Sequence, residues 1–97
     1  MTDEIKLNRD ITRQSQAEAL LRNELLVEAW DTIERDLIKG LIETRPDAAE
    51  HREKIYQAIH INRKHRDFLV KAIANGRLAQ KELDDITGKR RILGIAV

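Results

Sequence analysis

Between residues 24 and 43, apolar side chains recur at Leu26, Trp30, Ile33, Leu37 and Leu41, in steps of four, three, four and four. A helix turns by about 100° per residue, so this spacing lays a single apolar stripe along one face. Val27, Ile38 and Ile42 widen the stripe, and Glu24, Glu28, Asp31, Arg35 and Lys39 hold the opposite side, with Arg35 in reach of both Glu28 and Asp31. The pattern predicts a helix over 24–43, and Asn23 is a suitable N-cap for it. Ahead of it, Ala17, Leu20 and Leu21 predict a shorter helix over about 12–22, with Asp10 or Thr12 as its cap. The pattern leaves open whether the two helices are continuous. Residues 1–11 are largely charged and carry no apolar period, so they read as a flexible arm.

Thr44-Arg45-Pro46-Asp47 is the strongest punctuation in the chain. Proline cannot continue a helix but suits a first turn. Thr44 can cap there, or Asp47 can cap with Glu50 returning the bond. The break is short, so the next helix is expected to fold back on the last. That helix is predicted over 47–75, with Glu53, Gln57, His60, Lys64, Asp67, Lys71 and Asn75 on its polar side. Its apolar side holds Ile55, Ala58, Ile59, Ile61, Phe68, Leu69, Ala72 and Ile73. Asn75-Gly76 reads as a helix stop. A short third helix over 78–87 is expected to end at Gly88, and residues 88–97 form a basic and then apolar tail. The expected fold is therefore all-α: an antiparallel helical hairpin within residues 12–87, with short flanking helices and an oligomeric state. Leu26, Trp30, Ile33, Leu37, Leu41, Ile55, Ile59, Phe68, Leu69 and Ile73 are the expected core or subunit contacts.

Composition sharpens this picture at three points. The 97 residues hold a single Phe, Tyr and Trp, so any core is aliphatic, and a domain this small is marginal unless a partner covers part of it. There is no cysteine, which excludes a disulfide framework and thiolate metal sites. Net charge is only +1, but residues 1–44 hold 6 Lys/Arg against 10 Asp/Glu, while residues 45–97 hold 12 against 7. An acidic first arm and a basic second arm attract each other when antiparallel, and also favour contact between copies. No apolar run approaches a membrane span, and no signal peptide is visible. No membrane partner is expected.

Candidate chemistry is sparse. His51, His60 and His65 lack the three- or four-residue spacing that puts two ligands on one helical face. No metal or cofactor is expected. No nucleophile motif, phosphate-binding loop or roofed pocket of paired carboxylates is visible, and Asp84-Asp85 reads as a solvated pair at a helix end, so the expectation is a non-enzyme. Asn62, His65 and Arg66 interrupt the apolar side of the long helix. A hairpin folded about Arg45 sets Arg66 level with Glu24 and Asn62 with Glu28. Two readings stand: a buried polar layer of Glu24, Glu28, Asn62 and Arg66 that fixes register, or a solvated edge where arginine stems lie on apolar surface. Gln80 to Arg91 holds an echo of a helix-turn-helix, but Asp84 and Asp85 stand where that motif takes a small apolar residue. Lys89, Arg90 and Arg91 are candidates for weak, non-specific phosphate contact. Ile92, Leu93, Ile95 and Val97 are candidates for docking to a partner, against the reading of a disordered tail.

The run Leu20-Leu21-Arg22-Asn23-Glu24-Leu25-Leu26-Val27-Glu28-Ala29-Trp30 resembles small proteins encoded in the head and packaging gene clusters of tailed phages and prophages. So do Arg63-Lys64-His65-Arg66-Asp67-Phe68-Leu69 and Asn75-Gly76-Arg77-Leu78-Ala79; together the likeness spans about residues 17–80. Within such clusters, this design is similar to the oligomerisation hairpin of small terminase subunits. The resemblance implies a homo-oligomeric adaptor that engages a packaging or head protein, in the bacterial cytoplasm or the virion. The chain departs from that family's pattern in lacking a clear N-terminal helix-turn-helix, which puts direct DNA recognition in doubt. The alternative is a small helical regulator or inhibitor of a host or phage protein.

Overall fold

A computed structural model describes the backbone of residues 2–92 and the side chains of residues 3–88. It holds three helices and, among the described residues, no strand: α1 (Thr2–Leu21), α2 (Glu24–Glu43) and α3 (Ala49–Ile92). The chain divides into two compact units. One is the contiguous stretch Leu20–Phe68, and the other combines Met1–Ala19 with Leu69–Val97.

Local chemistry sets the breaks in the contiguous unit. The Asn23 side chain accepts a hydrogen bond from the Leu26 amide at 3.0 Å, so Asn23 is the N-cap of α2. The same residue interrupts the run from α1, which settles that α1 and α2 are separate helices. α2 ends at Thr44, whose backbone N–H and hydroxyl both donate to the Gly40 carbonyl. Pro46 lies in the following turn. Asp47, considered above as a cap, pairs instead with Arg45 at 3.2 Å. The Ala48 carbonyl accepts the first bond of α3, from the Arg52 amide.

Contacts between α2 and α3 fall in order. Arg52 donates to the carbonyls of Leu41 and Thr44, Asn62 to that of Trp30, and Arg66 to that of Val27. Residue numbers fall along α2 as they rise along α3. Trp30 and Ile59 are buried here, with Leu26, Leu37, Leu41 and Ile55 half-buried around them.

The second unit departs from the sequence expectation twice. The arm expected over residues 1–11 is helical from Thr2. In that stretch Leu7 is buried and Glu4, Asp10 and Ile11 are half-buried, two of the four being charged, so the apolar period is weak. Gly76, expected to stop the long helix, lies buried inside α3, and the expected separate helix over 78–87 is part of α3 as well. A Cβ at Gly76 would strike the Gln14 Cβ and come within 2.9 Å of the Asp10 carbonyl oxygen. The glycine serves close approach of two helices rather than a left-handed turn. Among the described residues, Leu7, Ala17 and Ala79 are the buried hydrophobic ones of this unit. Gly88 is also helical, so the tail expected from 88 continues α3 as far as Ile92.

Candidate functional site

The polar groups of the contiguous unit gather where the middle of α2 meets α3. Asn62 is 9% exposed and sits on the inward side of α3, at a position that helical phase shares with Ile55, Ile59 and Arg66. Its amide nitrogen donates to the Trp30 carbonyl at 3.1 Å, so the buried donor is satisfied. One turn further on, Arg66 meets three groups of α2. Its guanidinium donates to the Asp31 carboxylate at 2.5 Å and to the Val27 carbonyl at 3.3 Å. It also lies 5.2 Å from the centroid of the Trp30 ring, within cation–π range. Arg63 pairs with Glu34 at 2.6 Å. The hydrogen bond to Glu34, with its charge, holds the Arg63 guanidinium above the usual arginine range.

A groove runs over this cluster, lined by Trp30, Asp31, Glu34, Asn62, Arg63, Arg66 and Asp67. Its cations already face carboxylates of the same chain. That arrangement suits fixing two helices in register, since each bond is made at one relative position only. Of the expected polar layer, Asn62 and Arg66 are brought together, but their bonds go to Trp30, Val27 and Asp31. Glu24 and Glu28 are exposed. The register is the cause: Asn62 meets Trp30 where Glu28 was expected, and Arg66 meets Val27 where Glu24 was expected. Asp31 and Glu34 were read as part of the polar side of α2 or not singled out. Nothing short of the interhelix register could have found them.

No family model, curated protein or solved structure matches this chain.

The apolar residues are placed unevenly. Trp30 and Ile59 are buried, Leu26, Leu37, Leu41, Ile55, Leu69 and Ile73 are half-buried, but Ile33 and Phe68 are exposed at 48% and 60%. Helical phase puts Leu25, Ala29 and Ile33 on the flank of α2 turned away from Asp31 and Glu34, and Ile61 and Phe68 on the side of α3 opposite Ile59. One side of the α2–α3 contact is bridged by ion pairs, and exposed apolar side chains occur on both sides, with Ile38, Ile42 and Tyr56 on the bridged one.

His51, His60 and His65 are all exposed, and the His60 ring meets Tyr56 edge-on at 4.5 Å between centroids. Among the described residues, no group of three His, Asp or Glu could hold a metal ion. No described helix is long and apolar enough to cross a membrane. The side chains of Lys89, Arg90, Arg91 and Ile92, and all of Leu93, Ile95 and Val97, lie outside the described residues.

Proposed function

We propose that this chain is a non-enzymatic, self-associating adaptor, built on an antiparallel helical hairpin whose exposed apolar side chains are covered by further copies. The observation that carries this reading is the balance of burial. Among the described residues, five hydrophobic side chains are buried while eleven large ones are exposed. Exposed apolar area disfavours the isolated state by about 25 cal/mol per Å². This excess of exposed over buried apolar side chains on so small a fold supports an interaction surface.

Within that reading, the resemblance across residues 17–80 supports a small-terminase-like role in a phage or prophage, with a packaging or head protein as the second partner. Lys89, Arg90 and Arg91 supply, at most, weak and non-specific contact with DNA phosphates. The experiment is light scattering coupled to gel filtration at micromolar concentration. A multimer is expected. A folded monomer of 11.3 kDa that keeps its helicity on dilution overturns the adaptor reading.

A further inference from the structure

We propose that Asn75-Gly76 is a latent deamidation site, kept unreactive by the helical backbone of α3 and by the packing of α1 against it.

The chemistry starts from the pair itself. Asn75 is followed by glycine, whereas Asn8, Asn23 and Asn62 precede Arg9, Glu24 and Arg63. Deamidation begins when the backbone nitrogen of the following residue, giving up its proton to water, attacks the asparagine side-chain carbonyl carbon. A C–N bond forms, the side-chain amide leaves as ammonia, and a five-membered cyclic imide remains. Water then opens the imide to aspartate or isoaspartate. Glycine has no Cβ to hinder the attack and reaches the backbone conformations that ring closure needs. Asn75 is exposed, so water reaches its amide.

The fold holds this pair back. Residues 75 and 76 lie inside α3, where ψ stays near about −42° and each N–H donates four residues back. The Gly76 nitrogen is thus out of line for the Asn75 side chain, and its N–H is occupied. Asparagine and glycine are both weak helix formers, and the pair on its own signals a stop. What carries the helix through it is the contact with α1. Gly76 is buried where a Cβ would meet Gln14 and the Asp10 carbonyl oxygen, and Leu7, Ala17 and Ala79 are buried in the same unit.

The product does not fit that contact. Isoaspartate carries the main chain through its side-chain carbon and so adds one methylene to the backbone. The hydrogen-bond ladder of α3 then loses register where Gly76 approaches α1, and α1 is released.

Ring closure is far slower than helix opening, so its rate follows the population of the open form. The full chain is incubated at neutral pH and physiological temperature, either folded or in guanidinium chloride. The tryptic peptide 72–77, bounded by Lys71 and Arg77, is followed by mass spectrometry, with isoaspartate detected by methyltransferase labelling. Unfolded chain should convert at Asn75 ahead of Asn8, Asn23 and Asn62, and folded chain at least about tenfold more slowly. Equal rates in the two states, or no preference for Asn75 in the unfolded chain, overturns the site. Leu7→Ala loosens α1 without changing the pair and should speed conversion of the folded protein about tenfold. Should that variant fail to fold by circular dichroism, Ala17→Ser, which buries a hydroxyl in the same unit, takes its place. An unchanged rate in the folded variant overturns the role of α1. In converted protein, amide hydrogen exchange across residues 2–21 should be faster than in unconverted protein, and unchanged exchange there overturns the release.

Discussion

The Asn62 side chain reaches across from α3 to donate to the backbone carbonyl of Trp30, 32 residues earlier in the chain. It is a buried amide beside Trp30, and it is satisfied at one register only. Asn62→Ala removes the bond and leaves a small void, so a loss of about 1–3 kcal/mol is expected. Asn62→Leu restores the volume without the bond and should recover part of that loss. Trp30 is the sole tryptophan, so its fluorescence during urea unfolding reads this contact directly. Equal stability of Asn62→Ala and wild type would place the amide in solvent.

Arg66 touches the Asp31 carboxylate, the Val27 carbonyl and the Trp30 ring at once. A lysine ammonium lacks the planar fork that serves several partners together. Arg66→Lys should therefore destabilise, by about 1 kcal/mol, a figure kept small because the ion pair is partly exposed and screened. A matching change in Trp30 emission is expected. A variant as stable as wild type would show that charge alone suffices at this position.

Gly76 and Gly88 both lie within α3 but should respond to alanine with opposite signs. At Gly76 the added Cβ meets Gln14 and the Asp10 backbone. The overpacking costs about 1–3 kcal/mol and outweighs a helix-propensity gain of about 1 kcal/mol. At Gly88 a Cβ meets nothing within 4 Å, so Gly88→Ala should stabilise by about 0.5–1 kcal/mol. Thermal unfolding followed by circular dichroism separates the two, and a stabilising Gly76→Ala would contradict the close approach of α1 and α3.

Asn23 supplies the N-cap bond of α2. Asn23→Ala should cost about 1 kcal/mol, and Asn23→Ser a fraction of that, because serine can accept the same amide bond. Urea unfolding of the three proteins checks the ranking. No difference between alanine and serine would mean the bond is not made in solution.

The stripe through Leu26, Trp30, Leu37 and Leu41 was legible because a single helix face needs only local spacing to show itself. The Asn23 cap and the break at Thr44 were legible for the same reason: both are decided within four residues. The helix over 12–22 was legible too, but residues 2–11 of α1 were not, because Asp10, and Gln14 one turn on, stand inward where an apolar period would have shown. They are tolerated there by Gly76, more than 60 residues away. Gly76 misled in turn, because glycine signals a stop and a close approach by the same lack of a Cβ. Ile33 shares the helical spacing of the core yet lies exposed, since periodicity marks an apolar face without saying how much of it the same chain will cover; Phe68, nine residues from Ile59, falls on the opposite side of α3. The partners of Arg63 and Arg66 depend on register, which no local rule supplies.

The division of the chain also sets an order of events. The unit Leu20–Phe68 is contiguous, and its two helices are joined by a turn of a few residues, so its contacts close short loops at little entropic cost. The other unit needs residues near 10–17 to meet residues near 76–79. During synthesis α1 leaves the ribosome long before the second half of α3 exists. Its inward face, with Leu7 and Ala17, stays open to water, or to another nascent chain on the same message, until residues 69–92 are made. Completion of the fold is thus tied to the last third of translation.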